Sequence, residues 1–410
     1  MSIKNLKSLA RNLGLFVASA MLSLLLAEWS VRTLYPQQLA VWYTTEDGLV
    51  IHPPGLITYL TESKQEIRFN ASGMRDRDHA KKKQKDTTRI LVFGDSFMEA
   101  LQVAFEDSFP SLLESGLRKA LHRNVEVINC AVSGWGQDDQ LAYLQKYGRA
   151  LEPDLILVAM TLHNDVSDNM REQFHTLAHD KLILKPVAHM SVSELKILHV
   201  KGFFASHSHL WQLLRKVKSL REMRSVAAAL SEHVMQLIGR NETEELKRGW
   251  KLTFELFKGI REVGKSMGAG TAIMLIPLRL QLQDDALDGF RTFVGMSTDD
   301  VAIERPQQAM RTFGREANIE IIDLLPTLRR WTVENKASLH LQDGHWNEKG
   351  HRLAADTVVK EIVEKRLVTV IPSSSSLMPM GNDCKQTEFT SCSPPTGRRI
   401  VNHGFSFGDQ

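Results

Sequence analysis

Apolar positions in this chain follow two rhythms that alternate along most of its length. Short runs rich in β-branched and aromatic residues, at 89–93, 125–129, 154–160, Thr271 to Ile276 and Ile319 to Ile322, predict strands. At 107–121, 137–148, 244–266, 306–316 and 348–366 the apolar residues instead recur with the period of a helix that buries one face. This alternation predicts βαβ units, and therefore a parallel sheet covered by helices on both faces. The run Asp154 to Met160 is apolar on every side after its first residue, as a strand in the middle of such a sheet must be. Between Asn169 and Glu244 the chain is longer than a crossover needs, and it holds an amphipathic stretch from Leu210 to Leu237. A helical insertion over 170–243 is expected there, either capping the mouth of a site or covering the sheet.

Chemistry gathers where the predicted strands end. Arg89 to Phe93 empties into Gly94-Asp95-Ser96, and Val125 to Asn129 runs on to Ala131-Val132-Ser133-Gly134. The third strand ends at Leu162-His163-Asn164-Asp165, and a late loop reads Asp343-Gly344-His345-Trp346-Asn347. Open α/β sheets bind their ligands beyond the carboxyl ends of the strands. A serine hydroxyl needs a base within hydrogen-bond reach to become a nucleophile, and an imidazole base needs a partner that fixes its tautomer. A developing oxyanion needs donors aimed at it. Serine, glycine, asparagine and an Asp/His pair together supply the parts of an acyl-transfer site.

On these four blocks, from about Asn70 to Leu367, the chain resembles the SGNH/GDSL hydrolases. It departs from that family at two points: Leu162 stands where Gly-x-Asn-Asp has its glycine, and Asp343 lies two residues before His345 rather than three. The resemblance implies a flavodoxin-like three-layer sandwich with a central parallel sheet, and a serine ester hydrolase that uses no cofactor and no metal. It implies Ser96 as nucleophile, His345 as general base and acid, and Asp343 as the residue that orients His345. It assigns the oxyanion hole to the N–H groups of Ser96 and Gly134 and the side-chain amide of Asn164, with Asp95 supporting the loops from behind. The segment Asn70 to Asp76 resembles a branch that carries an N-terminal membrane segment. Substrates in the family include lipids, simple esters and O-acetyl groups on carbohydrate polymers. An O-acyltransferase acting on an envelope glycan and a catalytically silent binding module are the alternative functions. A metal centre built from His340, Asp343, His345 and His351 is the alternative chemistry.

Composition adjusts this picture at the chain ends. With 410 residues, 43% of them hydrophobic, the chain can bury one large core, and a net charge of +3 gives no reason to expect a nucleic-acid partner. Lys81-Lys82-Lys83-Gln84-Lys85 is expected to be a solvated loop. Asn12 to Ala27 carries no charge, and with Glu28 and Trp29 at its edge it predicts a membrane anchor through residues 12–29. No small-x-small site follows the apolar run, which favours an uncleaved anchor over a signal peptide. Lys4, Lys7 and Arg11 precede it and only Arg32 closely follows, so the amino end is expected in the cytoplasm and the body outside. The expected organisation is a stub and anchor at 1–36, a lead-in at 37–88, a hydrolase domain at 89–372 and a disordered tail at 373–410. Cys130 reads as a small buried hydrophobe, while Cys384 and Cys392 could pair in an oxidising compartment.

Overall fold

A computed structural model describes residues 3–45, 47–60, 63–186 and 192–368. The expected tail, with Cys384 and Cys392, lies outside them. Five parallel strands form the central sheet: β1 (Thr87–Phe93), β2 (Asn124–Asn129), β3 (Leu155–Thr161), β4 (Gly270–Ile276) and β5 (Glu320–Asp323). Their spatial order is β5-β4-β3-β1-β2, the flavodoxin-like order, which reverses between β1 and β3. The three-layer α/β architecture expected from the alternating pattern is therefore present, and every expected central strand is in it.

Period-two packing builds the layers. On β1, Ile90 and Val92 face one side while Leu91 and Phe93 face the other; on β3, Leu155, Leu157 and Ala159 oppose Ile156, Val158 and Met160. The helix α1 (Ile3–Leu34) precedes the body, and α2 (Ser96–Glu99) is a single turn at the exit of β1. One face of the sheet is covered by α3 (Phe109–Leu121), through Phe109, Leu113 and Leu117, and by two later helices named below. The other face is covered by α4 (Gln137–Tyr147), through Leu141 and Leu144. After the turn α5 (Asp165–Asn169), the insertion contains a hairpin at 175–184, then α6 (Val192–His207) and α7 (His209–Ile238). The helix α8 (Glu244–Ser266) lies on the α4 face, burying Leu252, Leu256, Phe257 and Ile260. The short α9 (Arg279–Leu282) and α10 (Asp284–Val294) lead to α11 (Arg305–Ala317), which joins the α4 face through Met310 and Phe313. The helices α12 (Leu325–Asn335) and α13 (Glu348–Glu364) complete the α3 face with Leu325, Leu328, Ala354, Val358 and Ile362.

Two appended parts attach to this body. The lead-in forms two small antiparallel hairpins and packs Val41, Leu60, Ile67 and Phe69 against Leu101. The α1 side chains described along its apolar stretch are exposed, and among the described residues one span, Arg11–Leu34, is long and apolar enough to cross a membrane. At its carboxyl end the Glu28 carboxylate accepts from the N–H groups of His209 (3.0 Å) and Leu210 (2.9 Å) and from the Ser208 hydroxyl (2.7 Å), capping α7. Arg32 donates to the His207 carbonyl at 2.8 Å, so the same end of α1 grips the corner between α6 and α7.

Candidate active site

The strand β1 delivers Ser96 because the chain must turn sharply where the strand ends. A Cβ on Gly94 would sit 2.5 Å from Cγ of Met98 and 3.2 Å from Cβ of Ala159, so only glycine lets the turn close onto the sheet. Asp95 then caps the turn, its Oδ1 accepting from the N–H of Phe97 at 3.0 Å. Ser96 is the first residue of α2, where a backbone N–H has no partner within the helix.

His345 arrives from a tight loop before α13. Leu341 N donates to the His345 carbonyl (2.8 Å) and Asn347 N to the Leu339 carbonyl (2.9 Å), while Asn347 caps α13 by accepting from Gly350 N at 3.0 Å. Trp346 is fully buried against Phe97, ring centroids 5.2 Å apart, which clamps the loop to the turn that carries Ser96. This places Nε2 of His345 2.7 Å from Oγ of Ser96. On the far side of the ring, Nδ1 lies 3.0 Å from Oδ2 of Asp343, and the His345 N–H donates to Asp343 Oδ1 at 3.1 Å. The one-residue spacer works because it is glycine: Gly344 has φ +88°, which curls the chain until one carboxylate reaches both the backbone and the ring of His345. That hydrogen bond also holds the Asp343 carboxyl below the usual carboxylate range. A proton on Nδ1, facing Asp343, leaves Nε2 free to accept the serine proton. Ser96, His345 and Asp343 are thus brought into one hydrogen-bonded line.

Behind Ser96 lies a buried acidic layer. Asp95 also accepts from the Thr161 hydroxyl (3.0 Å) and the Asn164 amide (3.3 Å), and burial raises its carboxyl above the ordinary range. Asp165 takes the Thr161 N–H (3.0 Å) and the Gln137 amide (2.6 Å); burial, reinforced by Asp95, pushes its carboxyl well up. The resemblance implies an Asn164 amide aimed at an oxyanion. Here the Asn164 Nδ2 donates to Asp95 and, at 2.7 Å, to Asp168, so both of its hydrogens are engaged by carboxylates. Burial pushes Asp168 up to about 6, although Arg171 pairs with it. Gly134 has φ +80° and its carbonyl accepts from Arg171 at 3.2 Å; no hydrogen bond uses its N–H among the described residues.

His163 sits beside the site and burial pushes its imidazole down to about 4, which makes it neutral near pH 7. Of the residues considered for a metal, His340 is pushed down to about 4 and His351 to about 3, both chiefly by burial. His351 packs edge-on to Trp346 inside the core. Among the described residues no group of three His, Cys, Asp or Glu side chains is arranged to hold a metal ion.

Sequence reading did not find Thr161, Asp168, Arg171, Glu99 or His52. Glu99 alone carried a usable signal, as a carboxylate three residues after Ser96 in an otherwise apolar turn.

No family model matches this sequence, and no curated protein does. Among solved structures the chain is similar to TesA, at 13% identity and a TM-score of 0.36 over 68% of this chain and 100% of that one. It is similar to the psychrotrophic esterase EstA from Pseudoalteromonas sp., at 13% identity and a TM-score of 0.35 over 68% and 98% of the two chains. It is also similar to Axe2, an acetylxylan esterase from Geobacillus stearothermophilus, at 13% identity and a TM-score of 0.37 over 68% and 96%.

Proposed function

We propose that this protein is a serine ester hydrolase of SGNH/GDSL type that cleaves an acyl or O-acetyl ester through an acyl-serine intermediate. The observation that carries this reading is the line Ser96 Oγ, His345 Nε2, His345 Nδ1 and Asp343, with contacts of 2.7 and 3.0 Å. His345 takes the Ser96 proton as Oγ attacks the ester carbonyl carbon. The tetrahedral oxyanion is held by the N–H groups of Ser96 and Gly134, joined by the Asn164 amide when it gives up its longer bond to Asp95. As the carbon–oxygen bond to the leaving alcohol breaks, His345 returns the proton to that alcohol. Water, deprotonated by the same imidazole, then attacks the acyl-serine; the acyl–Oγ bond breaks, the acid leaves and His345 returns the proton to Ser96 Oγ. Asp343 stabilises the imidazolium in both halves.

The test is full-length protein in detergent, treated with a fluorophosphonate probe and short-chain nitrophenyl esters. Labelling at Ser96 and ester cleavage are expected, and Ser96→Ala should abolish both without changing the circular dichroism spectrum. Cleavage that survives Ser96→Ala would overturn the mechanism. Delivery of the acyl group to an added oligosaccharide rather than to water would make the enzyme an O-acyltransferase using the same three residues.

We also read α1 as an uncleaved anchor with its amino end in the cytoplasm and the body outside, so that the substrate is an envelope lipid or acetylated glycan. Supporting this are the cations Lys4, Lys7 and Arg11 ahead of the apolar run, and the use of Glu28 and Arg32 to dock the α6–α7 corner. The lead-in at 37–88 belongs with the hydrolase body, because its side chains hold the nucleophile turn, and 170–243 is an insertion within that body.

A further inference from the structure

One side chain of the nucleophile turn is a carboxylate that the mechanism above does not use. Glu99 closes α2, three residues after Ser96, and its side chain is fully buried. Its two oxygens point in different directions. Oε1 contacts Nε2 of His52, itself fully buried, whose Nδ1 lies 2.9 Å from the Val41 carbonyl and whose ring stacks on Phe69 at 3.8 Å. Oε2 accepts from the Ser133 N–H at 3.1 Å and from the Ser133 hydroxyl. A carbonyl can only accept, so the His52 Nδ1 must donate to Val41. Nε2 then faces Oε1 across the remaining hydrogen bond, so each of these buried side chains has the other as its partner. The lead-in reinforces this from below: the buried Arg75 donates to the Glu99 carbonyl at 3.0 Å and to the Val103 carbonyl at 2.5 Å, and also to that of Ala100.

Ser133 immediately precedes Gly134. Its N–H is held by Glu99, while Arg171 holds the Gly134 carbonyl, so the peptide that presents the Gly134 N–H is pinned at both ends. The peptide between them is planar, so its N–H can turn only by a paired rotation of ψ at Ser133 and φ at Gly134, and the two held flanks restrict that rotation. We propose that Glu99 is a positioning residue of this site: locked by His52, it ties the Ser133–Gly134 loop to the turn that carries Ser96, so that both backbone donors serve one oxyanion. This rests on the ester-hydrolase function proposed above. Preorganised donors matter because they act only as charge develops on the substrate oxygen, so loosening one lowers turnover more than substrate binding.

The chemistry of the pair supplies a discriminating substitution. In Glu99→Gln the amide N–H can donate to a neutral His52 Nε2 while the amide oxygen still accepts from Ser133, so every hydrogen bond survives. Glu99→Met keeps side-chain length and removes both partners. In full-length protein in detergent, active sites are counted by stoichiometric fluorophosphonate labelling, and kcat per labelled site and KM are measured with a nitrophenyl ester. Glu99→Met should lower kcat per site by about 10²–10³, the cost of losing one oxyanion donor, with KM nearly unchanged. Glu99→Gln should restore near-normal kcat, and Ser133→Ala, which keeps the N–H but loses the hydroxyl bond, should lower kcat by about tenfold.

A merely structural brace would lower the melting temperature or the number of labelled sites and leave kcat per site untouched; that result overturns the inference. So does a Glu99→Gln variant as impaired as Glu99→Met. If Glu99→Met does not fold, Ser133→Ala decides, and a normal kcat per site in it overturns the inference. A wild-type protein that neither labels nor cleaves overturns the hydrolase function itself, and this inference with it.

Discussion

In the proposed mechanism His345 and Asp343 divide the work of proton transfer unequally, and substitution separates them. There the imidazole would carry the proton in both directions, so His345→Ala should lower turnover about as far as Ser96→Ala, because members of a triad act as a unit. Asp343 orients the ring through the 3.0 Å contact to Nδ1 and holds the His345 backbone N–H at 3.1 Å, and losing its carboxylate leaves the base in place but free to turn. Asp343→Asn should therefore lower kcat by roughly 10²–10⁴ and no further than His345→Ala. Steady-state kinetics on the purified variants checks this. Near-normal turnover in Asp343→Asn would reduce the site to a Ser–His dyad. The short Asp-x-His spacing, a departure from the family pattern in sequence, is resolved by Gly344: with a left-handed spacer, a carboxylate two residues away reaches both the backbone N–H and the ring Nδ1 of His345.

At the scale of elements, the site depends on how closely the exit of β1 packs on β3. Gly94 has Met98 and Ala159 within contact distance of the Cβ it lacks, and Met98 is itself fully buried. Gly94→Ala forces Met98 off its packing position, an overpacking that costs about 1–3 kcal/mol. The expected outcome is a lower melting temperature together with lower activity, because the displaced residue lies in the same turn as Ser96. Thermal unfolding followed by circular dichroism measures the first effect and nitrophenyl ester cleavage the second. Unchanged values in both would mean the turn has slack that the contacts deny.

For the whole molecule, buried ionisable groups set a pH dependence of stability. Asp139, at the start of α4, has its carboxyl pushed up to about 7, first by burial and then by Asp138. The folded state holds that proton until about pH 7, whereas the unfolded chain releases it near 3.8. Stability from this group is therefore complete below pH 4 and falls as pH rises toward 7. Asp139→Asn can still accept from the Gly136 N–H, now 3.2 Å from Asp139, and does not ionise. It should raise the melting temperature relative to wild type at pH 8 and change it little at pH 4. A gain of equal size at both pH values would place the effect elsewhere. His340 and His163, both pushed down to about 4, act oppositely, losing stability as pH falls from 6.5 toward 4. Comparing the variant with wild type at each pH isolates Asp139 from them.

The membrane reading is also tested on the whole molecule. The protein is expected to stay with membranes through alkaline carbonate washing, and a reporter fused after Leu367 should be active only outside the cytoplasm. A shortened soluble form would show α1 to be a cleaved signal.

What the sequence determined by itself was whatever a local period or a strand exit encodes. All five sheet strands, and the helices α3, α4, α8, α11 and α13, were legible to within a few residues, because the strands are short apolar runs and each helix buries one repeating face. The positions of Ser96, Gly134, Asn164 and His345 were legible because each sits where a strand ends or a late loop turns. Only the tertiary structure decided that His345 Nε2 reaches Ser96 across 249 positions of chain, and that Asn164 has its amide engaged by Asp95 and Asp168. It alone brought the lead-in to the turn that carries Ser96, by setting His52 against Glu99 and Arg75 against the Glu99 carbonyl and those that follow. The physical reason is that a buried charge needs a partner, and nothing in the spacing of residues says which distant side chain provides it. Periodicity records which face turns inward; the partner met there depends on how the layers close.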